Sequence, residues 1–390
     1  MIAKLDSWQQ VALGCSGAMF ITMGLGRFSY GTMVPALVLS GQMSAEQAGW
    51  VGGANLTGFF LGAFMSETLR RRWNSDRILR VVVVLSLIAL VASAAPWGAV
   101  WLGFWRALLG TTAGLSMVLG LALTTAAAPA TRRPAAAGLM FAGVGVAIFF
   151  SGVLVPWLLD LSVAWAWGGV AAVSLAGAGL AFLGLRAAVG LIPNQDMLAL
   201  GILPVLRQDR ALLGLALAYF LFSFGITPHT LYWVDFLVRD MGLGIDAGGA
   251  HWSTVGAFAI LGPWAAVWLA QRLGTPWAVV IAFVVLSVGV ALPAWVSWLP
   301  GLWLSTMIFG AQPGVSTLQA ARARDLGRAE AMPGILRVMV ISSALGGAFG
   351  GLVFPAIFSA ITSYGPMFIV AGASLIIGAL SVLPRTDEVK

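Results

Sequence analysis

Charge is what this 390-residue chain has least of. Asp, Glu, Lys and Arg together make up 9% of it, against 60% hydrophobic residues and a mean hydropathy of +0.95. Soluble globular domains carry far more charge than this, so that class is excluded. A single cysteine, Cys15, excludes an intrachain disulfide. Two histidines and that cysteine are too few for an ordinary metal site. Gly24 and Gly26 lie inside an apolar run, without the strand–turn–helix setting of a dinucleotide fingerprint. No loop carries a Gly-x-Ser-x-Gly element, and the loops are too short to hold a soluble catalytic domain. The chain reads as no enzyme, with no cofactor and no metal.

What the chain does have is apolar length. Hydrophobic runs of about twenty residues recur from end to end, enough to cross a bilayer as helix. The runs are continuous and do not alternate apolar with polar, which excludes a β-barrel. The expected fold is an all-α polytopic membrane protein with twelve transmembrane helices. Spans are expected near 9–38, 46–69, 78–95, 98–127, 135–159 and 162–185, then 211–237, 249–270, 277–297, 300–321, 335–359 and 364–383. Residues 186–210 form a polar connector between two six-helix bundles, 1–185 and 211–390. Only Lys4 precedes the first run and no small-residue cleavage site follows it, so it reads as a retained helix. Cys15 reads as a small packing residue within it, not a lipid-attachment site.

The sequence pI is about 10.5, but the positions of the cations explain it without nucleic acid. Of 21 Lys and Arg, 17 fall on one side of the expected spans and only Arg239 on the other; Arg27, Arg106 and Arg337 fall within spans. Positive loops stay in the cytoplasm. Both termini and the connector are therefore expected there, and the bilayer is the partner that the basic balance serves. Arg337 lies close enough to the cytoplasmic start of its helix to snorkel.

The two halves resemble each other. An offset of 202 places Phe20 on Phe222, Tyr30 on Tyr232, Trp50 on Trp252, Arg70 on Arg272 and Arg27 on His229. An offset of 199 places Pro134 on Pro333, Gly152 on Gly351 and Pro156 on Pro355. Parallel six-span repeats put a substrate site at their interface near the bilayer midplane.

Arg27 is the anomaly of the first span. The segment GLGRFSYGTMVPAL holds a permanent charge in a run that otherwise suits lipid. Such a charge costs roughly 2.5–3.5 kcal/mol at a helix centre on insertion scales. At ~1.5 Å per residue it lies about 27 Å from the expected entry, too far to snorkel to the cytoplasm. A cavity-facing role, an internal anchor and an outward snorkel are the three readings, in that order. Arg106 is a second cation at a compatible depth. His229, beside the helix breaker Pro228, and Asp235 are candidates to carry a proton; the plainer role for Asp235 is a partner for Arg239. Tyr30, Tyr232, Asn55 and Gln312 can shape a polar pocket, with Gln312 next to Pro313 where the tenth span is expected to break. Trp50 and Trp252 can supply apolar walls. Ser44 and Gln47 are spaced as a helix-start capping box.

The chain is similar to the major facilitator superfamily over nearly its whole length. After the second span, GAFMSETLRRR from Gly62 resembles the superfamily's G-x-L-A-D-R-x-G-R-R loop motif, with Ser66 at the acid position and Glu67 one place later. LAQRLG, from Leu269 to Gly274, repeats the form with Gln271 at the acid position. RALLGTTAG from Arg106 matches R-x-x-x-G-x-x-x-G, with Gly110 and Gly114 on one face. GRFSY and QAGWVGGANLTGFFLGA resemble the poorly characterised bacterial YbfB/YjiJ-type branch. The resemblance implies a secondary transporter working by alternating access, in the inner membrane of a bacterium. It links Arg106 to coupling or stability, and it implies an inner gate of Glu67, Arg70 and Arg71; a solvated topogenic cluster is the other reading of those three.

More cations than acids are expected within the spans, which favours a small organic anion, a carboxylate, as substrate. Arg27, Tyr30, Asn55, Arg106, His229, Tyr232 and Gln312 form the expected binding set, with His229 and Asp235 for proton coupling. No acid stands in the middle of the first half, so uniport and exchange stay open. The alternatives are a multidrug or metabolite efflux pump, favoured by 17 tryptophans, and a non-transporting receptor or scaffold. The chain is expected to act as a monomer.

Overall fold

A computed structural model describes residues 5–191, 210–327 and 332–384. Most of the expected connector lies outside the described residues, as do Lys4, Arg207, Arg328, Arg385 and Lys390 of the topology count and the side chain of Pro333. The described residues form twelve helices and no strand. They are α1 (Ser7–Leu39), α2 (Ala45–Arg70), α3 (Ser75–Ala92), α4 (Gly98–Ala127), α5 (Arg133–Leu159) and α6 (Val163–Gly184). Then follow α7 (Arg210–Asp240), α8 (Ile245–Leu273), α9 (Thr275–Ala291), α10 (Leu299–Gly310 continuing as Pro313–Leu326), α11 (Met332–Ile361) and α12 (Gly365–Ser381). The twelve expected spans all appear. Eight satisfy a strict test of length and hydropathy. Among the others α3 carries Asp76, Arg77 and Arg80 within its 18 residues, α12 is short at 17 residues, and α10 is broken.

By internal contacts the chain divides into two compact units. One comprises Met1–Gln195 with Leu231–Gly256, the other Asp196–Thr230 with Ala257–Lys390.

In the first unit, helix starts follow local chemistry. The Gln47 backbone N–H donates to Ser44 Oγ (3.1 Å), and the Ser44 N–H donates to Gln47 Oε1 (2.9 Å), which closes the capping box that starts α2. α1 is not a uniform helix. Phe20–Phe28 runs in the wider π register before the α register resumes at Ser29. Gly26 suits this turn: a Cβ there would stand 2.9 Å from the Ile21 carbonyl oxygen and 3.1 Å from Leu109. Isolated π segments in α-helices often mark functional positions.

α2 and α4 touch backbone to backbone. A Cβ on Gly110 would run into the Asn55 carbonyl and one on Gly114 into that of Phe59, while Gly58 and Gly62 meet the carbonyls of Ala107 and Thr111. Small residues on both faces permit this approach. In the second unit Gly346 meets the Phe220 backbone in the same way, and Gly350 packs against the Thr227 side chain. There α10 breaks at Ala311–Gln312 and restarts at Pro313, whose missing N–H is harmless in a first turn. Prolines sit inside both α5 (Pro156) and α11 (Pro355), as the repeat predicts.

Gly110→Leu should destabilise the protein by about 1–3 kcal/mol through overpacking, read as a fall in Tm in detergent. Gly168→Leu, where an added Cβ meets nothing within 4 Å, should leave Tm nearly unchanged. Equal shifts for the two would contradict the close α2–α4 seam.

Candidate functional site

The first unit gathers four of the expected residues into one connected cluster. Arg106, on α4, is 1% exposed. Its Nη1 donates to the Gly26 carbonyl and its Nη2 to the Arg27 carbonyl (3.0 Å), both in the π segment of α1. The guanidinium carbon lies 4.5 Å from the centroid of the Tyr30 ring. Tyr30 in turn donates its hydroxyl to the Ala48 carbonyl on α2 (2.8 Å). Asn55 Nδ2 donates to the backbone oxygen of Arg106 (2.9 Å). Carbonyl dipoles and an aromatic face thus meet the Arg106 charge, and among the described residues no carboxylate pairs with it.

Arg27 itself is half-buried. Its guanidinium carbon lies 4.9 Å from the Phe59 ring centroid and 5.4 Å from that of Phe28, and Nη1 approaches Met23 Sδ at 4.0 Å. Its Nε is buried with no hydrogen-bond partner, as is that of Arg106. Neither arginine forms an ion pair with any described residue. Phe28 also lies 6.3 Å from the fully buried Trp252 ring, so Trp252 does wall this region. Trp50 does not: its indole is 40% exposed and points its N–H at Glu46 (3.5 Å).

Tyr232 and Asp235 belong to the same unit and are each 1% exposed. Both lie within electrostatic reach of Tyr30. The Asp235 carboxylate is gripped at both oxygens by Arg239, at 2.6 and 2.7 Å, the plainer of the roles expected for it. At the C-terminal end of α2, Glu67 is buried and shared: Arg70 bonds it at 3.0 Å and Arg71 at 3.0 Å. These contacts all lie within one helix, at i,i+3 and i,i+4 spacing. Ser66, at the motif's acid position, donates instead to the Ala63 carbonyl (2.7 Å).

His229 and Gln312 belong to the second unit. His229 is fully buried between the rings of Phe309 and Phe368, each 5.0 Å away centre to centre. Its Nε2 meets Ser305 Oγ at 3.0 Å, and that hydroxyl donates to the Gly289 carbonyl at 2.8 Å. A hydroxyl has one hydrogen to give and a carbonyl can only accept, so Nε2 carries a hydrogen toward Ser305. Gln312 stands in the turn that breaks α10, its N–H bonded to the Phe309 carbonyl at 3.1 Å. A separate cavity of about 120 Å³ in this unit, between Arg210, Leu215, Arg322 and Ser381, includes none of the expected site residues.

Phe59 and Ser305 are the neighbours that sequence reading missed. Phe59 stands four residues after Asn55 on α2, a spacing that puts both on one face. Ser305 carries no comparable signal, because its partner His229 is 76 residues away.

The fold is that of a twelve-pass helical membrane transporter, not an enzyme. The chain belongs to the major facilitator family described as "Uncharacterised MFS-type transporter YbfB", whose profile matches residues 19–383. Among solved structures, the crystal structure of a D-xylose–proton symporter superposes with a TM-score of 0.75 at 17% identity, covering 98% of each chain. That likeness establishes the fold alone. No curated protein matches the sequence.

Arg106→Lys should lose a carbonyl bond and the stacked contact, at a cost on the order of 1–3 kcal/mol. Arg27→Lys, with no strong hydrogen bond to lose, should cost less than about 1 kcal/mol. Tm measurements on the two variants check this; the reverse order would show that Arg27 is the structural anchor.

Proposed function

We propose that this transporter moves a small organic anion, a carboxylate, by alternating access between its two six-helix halves, 1–185 and 211–390, with proton coupling through His229. The observation that carries the reading is the pair Arg27 and Arg106. Both are held in one cluster of the first unit, and no described acid pairs with either. A fully buried guanidinium and a half-buried one stand side by side with no described negative partner. A carboxylate can accept charge-assisted hydrogen bonds from such groups in a two-pronged geometry.

The roles divide between the two arginines. Arg106 is committed to backbone oxygens and sets the positive field. Arg27, half-buried and weakly bonded, is the group that engages substrate, with Asn55 and Tyr30 beside it. Tyr232, His229 and Gln312 complete the proposed set. Glu67, Arg70 and Arg71 form the proposed cytoplasmic gate. Asp235 is a weak candidate for a free acid, because Arg239 holds both of its oxygens. The same pairing disfavours a pump for lipophilic cations, which needs an available carboxylate.

A thermal-stability screen of the purified protein against carboxylates tests the reading. A ligand at 100 times its Kd should add roughly 2.7 kcal/mol of stability, and Arg27→Gln should abolish that gain while leaving the unliganded protein folded. Stabilisation confined to lipophilic cations, and lost in Asp235→Asn, would reverse the assignment.

A further inference from the structure

We infer that the anion is a hydroxy-carboxylate, recognised at its hydroxyl by Asn55. The inference rests on the anion reading above and deepens it. Asn55 lies on α2, 1% exposed, and its side chain has a fixed orientation. The amide faces the Arg106 carbonyl at 2.9 Å, and a carbonyl can only accept, so the nitrogen must point there. The amide oxygen is therefore placed by chemistry on the other side. Oδ1 is buried and has no hydrogen-bond partner. A buried acceptor left empty is costly, and native structures seldom keep one without a use.

The surroundings say what would fill it. Phe59, one turn along the same face of α2, carries the Arg27 guanidinium 4.9 Å from its ring centroid. Nε of Arg27 and Nε of Arg106 are buried donors without partners in the same cluster. The complement of this set is a molecule with negative acceptor atoms for the arginines and one hydrogen-bond donor for Asn55. The donor must be neutral. An ammonium group would meet two guanidinium charges in a medium of low dielectric, where like charges repel strongly. That selects a hydroxyl beside the carboxylate and rejects the zwitterionic amino acid of the same skeleton.

Matched sets of three compounds give the test: propionate, lactate and alanine, then succinate, malate and aspartate. Each is titrated against the full-length protein in detergent, with thermal stabilisation or intrinsic tryptophan fluorescence as the readout. Lactate or malate should bind roughly tenfold or more tightly than its deoxy partner, the usual penalty for leaving a buried polar group unpaired. The amino acid should be weakest. In Asn55→Leu the hydroxyl preference should collapse toward unity. Should that variant not fold, the wild-type ratio decides alone. Equal binding of lactate and propionate, with binding still lost in Arg27→Gln, would overturn the Asn55 assignment and leave the anion reading standing. Tighter binding of the amino acid would overturn the neutral-donor requirement. No binding by any of the six would remove the anion reading, and this inference with it.

Discussion

The first unit is organised by one guanidinium held against two peptide oxygens. Arg106 cannot shed its proton, and it lies where water does not reach. It is held there because Gly26 and Arg27 offer carbonyl oxygens from the widened turn of α1. Three helices are joined through that point. Asn55 ties α2 to the backbone of Arg106, and the ring that stacks on the guanidinium is anchored back to α2 by its hydroxyl. The charge is thus solvated by dipoles and left formally unneutralised. That is a different solution from Asp235 and Arg239, where opposite charges meet directly.

The two units treat their ionisable groups differently. In the first, permanent cations sit among phenylalanine and tyrosine faces, and Arg27 keeps partial access. In the second, the aligned histidine is enclosed by two aromatic rings and a serine. On the proposed reading, these corresponding chain positions would divide the work of a coupled carrier: the arginine would attract the guest and the histidine would change state.

Much of the architecture can be read directly from the residues. The twelve passes follow from apolar length, the start of α2 from Ser44 and Gln47, and the break in α10 from Pro313. The close seam of α2 and α4 follows from Gly110 and Gly114, because glycines at i and i+4 share a face. The Asp235–Arg239 pair is also local, at i,i+4. Other features could not be read this way, because they depend on pairs far apart in the chain. Arg106 finds its carbonyls 79 and 80 residues away, and His229 finds Ser305 at 76. The π register of α1 has no periodicity signal of its own, since it exists to accommodate a partner from another helix. Nothing in the sequence distinguished Arg106, committed to backbone oxygens, from Arg27, half-buried and weakly bonded.

If His229 carries the proton in the proposed cycle, the short chain of bonds from it through Ser305 to the Gly289 carbonyl would make that traffic one-sided. With Nε2 obliged to keep its hydrogen, any gain or loss of charge on the imidazole takes place at Nδ1, so arrival and departure share a single edge of the ring. Vectorial movement of a proton would then require that edge to change its surroundings, by motion of the helices around a ring that stays in place.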